Sequence, residues 1–218
     1  DMLRLNVLTV TDEGRKVYLA EISRNIGPDT QNKKGGYYVQ GAIHANECGG
    51  SAPPMHLIDT LLLKNPDILE DVVFYVVPRV NPDGVEENLN TNIEHRSKSV
   101  RNERNKENIL IKKDLDGDGL ILNMRWKDPL GNYKEIAPGV MVPREPGDEG
   151  EFYSLCTEGI IENYNGTPVN TSVRNYDFNR TYPCGWQSLS YTSEYPLRPE
   201  ETRAICEFIV THPNIFAG

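Results

Sequence analysis

A strand, helix, strand order across residues 35–80 constrains the fold of this chain more than any other feature. "GGYYVQGAI" (Gly35–Ile43) and "DVVFYVVPRV" (Asp71–Val80) are dense in Val, Tyr, Phe and Ile, as strands buried on both faces tend to be. Between them "SAPPMHLIDTLLLKNPDI" repeats Met55, Ile58, Leu61 and Leu62 at helical spacing. Ser51 suits the N-cap, and the prolines stay in the first turn. Two strands joined by a helix run parallel through a right-handed crossover, which places functional groups at their carboxyl ends. The flanking sequence extends this pattern. "LRLNVLTV" and "KVYLAEIS" alternate apolar and polar residues around the turn-forming "TDEGR" and predict an antiparallel pair. "RPEETRAICEFIVTH" predicts a helix with Ala204, Ile205, Phe208 and Ile209 on one face and Pro199, Glu200 and Glu201 at its amino end. After it, "PNIFAG" falls where an α/β pattern expects another strand.

Between those regions, from about residue 88 to 176, Gly, Pro, Asn and charge dominate. A structureless loop of that length is unusual, so an inserted, partly ordered subdomain or active-site wall is expected. The 218 residues otherwise read as one large domain, 1–218, with formal charge -9 and no run of 18 apolar residues to span a membrane. Acidic residues outnumber basic ones, 32 to 23, which argues against a nucleic-acid partner, since neutralising phosphates takes clustered Lys and Arg. Cys48, Cys156, Cys184 and Cys206 are too dispersed for a zinc ribbon or a redox pair, and their pairing is left open. The first residues lack an initiator methionine and the regions of a signal peptide, so the start reads as a cut or processed end. Localisation is not written in the chain, with a secreted or periplasmic setting favoured; nor is oligomeric state.

Three stretches carry candidate chemistry. In "GAIHANECGG", His44 and Glu47 follow a strand, and imidazole nitrogen and carboxylate oxygen suit Zn2+. Taken alone, a surface or capping arrangement is the plainer reading. In "VPRVNPDGVE", Asn-Pro-Asp-Gly is strong turn chemistry and reads as a loop after the strand. In "NYDFNRTYPCGW", Asp177 suits the orientation of a ligand histidine, while Asn179 and Arg180 suit recognition of a carboxylate.

Taken in order, "HANE", "NPDG", an arginine-rich stretch and "DFNR" resemble the zinc metallocarboxypeptidase family over most of the chain. The resemblance implies an α/β fold with a mixed, largely parallel β-sheet flanked by helices. It implies His44 and Glu47 as zinc ligands, Asp177 as the partner of His44, and Asn179 and Arg180 as the clamp on a substrate's terminal carboxylate. Asn46 stands where digestive members often have an arginine that touches substrate. An arginine after "NPDG" would stabilise the oxyanion. The resemblance implies Arg101 for this role, since its separation from Glu47 is similar to the family's, with Arg96 and Arg104 as alternatives. The family's third ligand, a histidine on the strand after the last helix, and its general-base glutamate have no counterpart, and His56, His95 and His212 do not suit the ligand role. The chain therefore resembles the amino-terminal part of a catalytic domain, incomplete at its carboxyl end and inactive alone.

The inserted region holds "DLDGDGLILNMRW". Asp114, Asp116 and Asp118 with Gly119 match the first half of a calcium loop, but Arg125 stands at the twelfth position where a glutamate is wanted. A complete EF-hand is excluded; a different calcium loop, completed by a carboxylate such as Asp128, stands beside a plain acidic turn as the reading of this stretch. Similar insertions in bacterial members favour a microbial source. The leading reading is a zinc-dependent carboxypeptidase acting on peptides with a free C-terminal carboxylate. The alternatives are a related amidohydrolase or cell-wall peptidase, and a non-catalytic, calcium-stabilised binding module.

Overall fold

The computed structural model describes residues 2–91, 93–98, 109–164, 177–188 and 193–218. The chain forms two compact units, one of residues 1–102 with 174–218 and one of residues 103–173. In chain order, the first unit opens with strands β1 (Leu3–Val10) and β2 (Lys16–Ile22) and the single turn α1 (Thr30–Lys33). It continues with β3 (Gly35–Gln40), α2 (Ala52–Lys64), β4 (Val72–Val77) and α3 (Pro82–Asn90). The second unit contains β5 (Ile109–Lys112), β6 (Asn123–Lys127), β7 (Tyr133–Ala137), β8 (Val140–Pro143), β9 (Phe152–Thr157) and β10 (Gly159–Glu162). The first unit resumes with α4 (Glu200–Thr211) and β11 (Ile215–Ala217).

In the first unit the sheet order is β1-β2-β4-β3-β11. β1, β2 and β4 pair antiparallel, while β4, β3 and β11 run parallel, so the mixed sheet expected from the sequence is present. "PNIFAG" contributes the parallel strand β11. The sheet has an apolar cluster on each face. Val17, Leu19, Tyr38, Val73, Tyr75 and Val77 pack with Phe178 and with Ile205 of α4. Ala20, Ile22 and Val76 pack with Ile58 and Leu61 of α2. Each such side chain contributes roughly 1.5–3 kcal/mol by leaving water.

Three local expectations are corrected. β3 is not buried on both faces: Tyr37 is 37% exposed beside the rings of Phe74 and Phe216, while Val39 on the same face packs against the α2 cluster. Met55 is 48% exposed rather than inward, and the buried positions of α2 are Pro54, Ile58 and Leu61. Ser51 makes no capping hydrogen bond with its side chain; Arg79 Nε donates to its Oγ at 3.4 Å instead.

In the second unit, β5 and β10 form an antiparallel pair and β6-β9-β7-β8 an antiparallel sheet. These strands are short, and β6, β8 and β10 have exposed residues on both faces, so they carry little of the alternation by which strands are read from sequence.

Candidate metal centre

β3 and β4 end in register, with Gln40 beside Val77, and the chain leaves both at the same edge. Gly41 allows the first departure at close quarters. Its amide donates to the Val77 carbonyl and its carbonyl accepts from Val80, both at 2.9 Å. A Cβ there would lie 2.3 Å from the Gly50 carbonyl oxygen, so only glycine fits. Ala42 follows at φ 49, a left-handed conformation that costs a non-glycine residue about 1–2 kcal/mol. It is held by the Asn81 amide, which donates to the Ala42 carbonyl at 3.1 Å. This bend delivers His44 to a site where it is 5% exposed.

Asn-Pro-Asp-Gly begins a helix, which corrects the loop reading. Asn81 is the N-cap of α3, its Oδ1 accepting from the Gly84 amide at 2.9 Å. Pro82 opens the helix and Asp83 lies in its positive first turn. The turn residues recognised in the sequence are equally cap residues, and burial selects the second use. A Cβ on Gly84 would lie 2.6 Å from the Ala45 Cβ, so the start of α3 packs directly on the His44 loop. Asp83, buried, accepts from Thr11 Oγ1 at 2.8 Å and from Arg15 Nη1 at 2.9 Å.

The third element is the 3-10 turn Phe178–Arg180, capped by Asp177 Oδ1, which accepts from the Asn179 amide at 3.0 Å. Phe178 is fully buried in the core below the sheet, and its amide donates to the Oγ of buried Ser97 at 3.3 Å. Neither Phe178 nor Ser97 carried a chemical signal in the sequence. Yet Phe178 anchors the turn that presents Asp177 on one side and Asn179 and Arg180 on the other.

These elements bring His44, Glu47 and Asp177 together. His44 Nε2 lies 2.9 Å from Asp177 Oδ1, and Nδ1 lies 3.0 Å from Glu47 Oε1. Arg96 Nε donates to Asp177 Oδ2 at 3.1 Å, and its Nη1 is 3.7 Å from Glu47 Oε1. Ala45 donates to the Arg96 carbonyl at 2.6 Å, tying the two loops. Burial opposes ionisation of Asp177, but the hydrogen bonds from His44 and Arg96 outweigh it and hold its carboxyl below the usual range. An ionised Asp177 assigns the proton to Nε2 and leaves the Nδ1 lone pair facing Glu47. Two acceptors 3.0 Å apart repel unless a proton or a cation lies between them. Nitrogen and carboxylate oxygen, with the opposite ring nitrogen hydrogen-bonded to a carboxylate, make a donor set suited to Zn2+.

The remaining sequence candidates are distributed as follows. Asn179 and Arg180 are exposed, and Arg180 Nη1 donates to the Asn179 carbonyl at 3.1 Å. Among the described residues the Arg180 guanidinium has no carboxylate partner. Asn46 Nδ2 donates to Glu94 Oε1 at 2.8 Å. Arg101 and Arg104 lie outside the described residues. His56 is in α2, His95 pairs with Glu87 at 2.5 Å, and His212 stacks on Phe208 at the end of α4. Apart from Asp177, which lies on the Nε2 side of the His44 ring, no other His, Cys, Asp or Glu among the described residues completes a group of metal-ligand atoms with His44 and Glu47. The four cysteines are free thiols.

In the second unit, Asp114, Asp116 and Asp118 each offer an oxygen within 4.8 Å of the others. Asp128 is not among them: it accepts from Ser154 Oγ at 2.6 Å and from the Leu130 amide at 2.9 Å, and these bonds lower its pKa. Arg125, at the twelfth position, pairs with Glu135 at 2.8 Å. The buried Glu158, unmarked in the sequence, braces the loop by accepting from the amides of Leu115, Asp116 and Leu122.

Comparison with known proteins bears on this geometry. A sequence model described as zinc carboxypeptidase matches residues 1–218. No curated protein matches the chain. Bovine thrombin-activatable fibrinolysis inhibitor, solved in complex with tick carboxypeptidase inhibitor, is similar with a TM-score of 0.54 and 15% identity, over 97% of this chain and 51% of that one. Carboxypeptidase A from Helicoverpa armigera is similar with a TM-score of 0.55 and 15% identity, over 98% of this chain and 38% of that one. At such identity the likeness is one of fold. The chain spans about half or less of the length of these structures.

Proposed function

The chain belongs to the zinc carboxypeptidase family, and from that premise we propose that it carries part of the active site of a zinc-dependent exopeptidase acting on peptides with a free C-terminal carboxylate. The orientation of His44 supports this most strongly, since Asp177 occupies its Nε2 side and the Nδ1 side faces Glu47. His44 and Glu47 hold the metal, and Asp177 fixes the ring and raises its basicity. Zinc, when bound, supplies an acidified water and a polarised carbonyl. Asn179 and Arg180 bind the terminal carboxylate, Arg180 through its planar guanidinium. That requirement for a free terminus makes the reaction exopeptidic.

A guanidinium following Asn-Pro-Asp-Gly stabilises the oxyanion. A separation from Glu47 similar to the family's favours Arg101 for this; Arg104 and Arg96 are the alternatives, Arg96 supported by its contacts with Asp177 and its nearness to Glu47. In the active enzyme, alanine at the true oxyanion arginine should lower kcat about 100- to 1000-fold, and the other substitutions should not. The proposal includes a bacterial-type member, an insertion at about residues 88–176 of a single peptidase domain, and a chain that is inactive alone. In it, the third ligand and the general base come from outside these 218 residues.

Calorimetry tests the reading directly. Zinc should bind with one-to-one stoichiometry but weakly, and His44→Ala or Glu47→Ala should abolish binding. Tight zinc binding that survives His44→Ala would sink the assignment. The convergence of Asp114, Asp116 and Asp118 favours a second, separate proposal, a calcium ion at that loop. Calcium should raise the thermal midpoint and chelator should lower it, and Asp116→Asn should remove the response.

A further inference from the structure

We infer that β1 is a self-association edge, through which two copies of this chain join their sheets by antiparallel β1 to β1 pairing centred on Leu5. The inference is independent of the exopeptidase reading. Among the described residues β1 pairs with β2 alone and so ends the sheet. The direction of its backbone groups follows from the ladder, because opposite residues of an antiparallel pair alternately exchange hydrogen bonds and do not. The Ser23 amide donates to the Met2 carbonyl at 3.1 Å at one end of the pair. Counting on from Met2, Arg4 and Asn6 bond to β2, and the amides and carbonyls of Leu3, Leu5 and Val7 point away from it. These same three residues lie opposite Ile22, Ala20 and Tyr18, on the face where Ala20 and Ile22 join the α2 cluster. Their side chains are 42%, 62% and 46% exposed. Outward backbone groups and exposed apolar side chains therefore belong to one short stretch.

Edges of this kind are commonly guarded by Lys, Pro or a bulge. The stretch from Leu3 to Val7 contains neither Lys nor Pro, and the irregularity of β1 comes after it, between Val7 and Thr9. Register selects a second copy as the occupant. A twofold axis at Leu5 sets Leu5 against its own copy and Leu3 against Val7, so outward amides meet carbonyls and apolar side chains meet apolar side chains. On the other face Arg4 comes opposite Asn6. Asn6 Nδ2 donates to Glu21 Oε1 at 2.5 Å, and Arg4 Nη1 lies 3.6 Å from Glu21 Oε2, so each guanidinium approaches the Glu21 side of the other copy. Centring on Arg4 would oppose two guanidinium groups, and centring on Asn6 would run Leu3 into the irregularity at Thr9. Each copy has one β1, so this pairing closes at a dimer.

Sedimentation equilibrium of the 218-residue chain tests this. From about 1 to about 300 µM it should show a monomer and dimer in equilibrium, with a Kd of about 10–100 µM, as suits a small interface between two acidic chains. Leu5→Lys and Leu5→Glu each place like charges face to face at the axis and should be monomeric over that range. An equimolar mixture of the two variants should dimerise again at the upper concentrations, because opposite charges then meet. Val10→Lys, at a residue 48% exposed but beyond the paired stretch, should dimerise like the parent. Leu5 is exposed, so circular dichroism should be the same for every variant. A parent chain that stays monomeric, a dimer that persists in Leu5→Lys, a mixture that fails to dimerise, or assembly beyond the dimer overturns the inference. None of these outcomes touches the exopeptidase reading, which zinc binding tests separately.

Discussion

At the scale of single residues, the site depends on which proton His44 keeps. Asp177 is 14% exposed at its side chain and holds His44 Nε2 at 2.9 Å, while Arg96 neutralises its other oxygen. Asp177→Asn keeps the shape but removes the charge that sets the tautomer. Zinc affinity should fall about 10- to 100-fold, measured by competition with a chromophoric chelator, with the fold intact by circular dichroism. An unchanged affinity would mean that Asp177 only caps the 3-10 turn. The sequence marked His44, Glu47 and Asp177 as candidates because each belongs to a short motif at an element boundary. Ser97, Phe178 and the Asn46–Glu94 bond were not, since a buried hydroxyl, an aromatic core residue and a contact between loops have no local spacing to betray them.

At the scale of elements, the same residues serve different ends according to what surrounds them. Asn81, Pro82, Asp83 and Gly84 have the composition of a turn and become the capped start of α3, because Asn81 is fully buried and its side chain satisfies an amide that no water can reach. Asn81→Ala should destabilise the first unit by about 1–2 kcal/mol, read as a lower urea midpoint. It should also weaken zinc binding, because the Asn81 amide region supports Ala42 and the bend before His44. Loss of stability with zinc affinity unchanged would separate the cap from the site. The helices α2 and α4 were foreseen from their periodicity, yet Met55 proved exposed and Ser51 uncapped. Periodicity gives a helix's apolar stripe only to within the width of its neighbour.

At the scale of the whole molecule, Glu201 shows how distant segments set one another's chemistry. It lies at the amino end of α4 and is 4% exposed. Burial, then the charges of Asp83, Asp12 and Glu200, push its pKa up to about 8 against one backbone hydrogen bond. The folded protein therefore holds a proton that the unfolded chain releases near pH 4.5. Stability from this group is present in full below that pH, is lost progressively as pH rises to about 8, and changes no further above it, a span of at most roughly 3–5 kcal/mol. Glu201→Gln should raise the thermal midpoint at pH 9 and leave it nearly unchanged at pH 4.5; an equal effect at both would refute a buried, protonated Glu201. The amino-acid sequence by itself determined the alternation of strands and helix and the residue types at the sheet's carboxyl edge, because hydrophobic periodicity and element-boundary motifs are properties of neighbouring residues. Tertiary structure alone decided which carboxylates flank His44, the seating of Arg96 against Asp177, the burial of Glu201 and the bracing of the acidic loop by Glu158. Each of these depends on groups brought together from far along the chain, at distances and burial that no local pattern encodes.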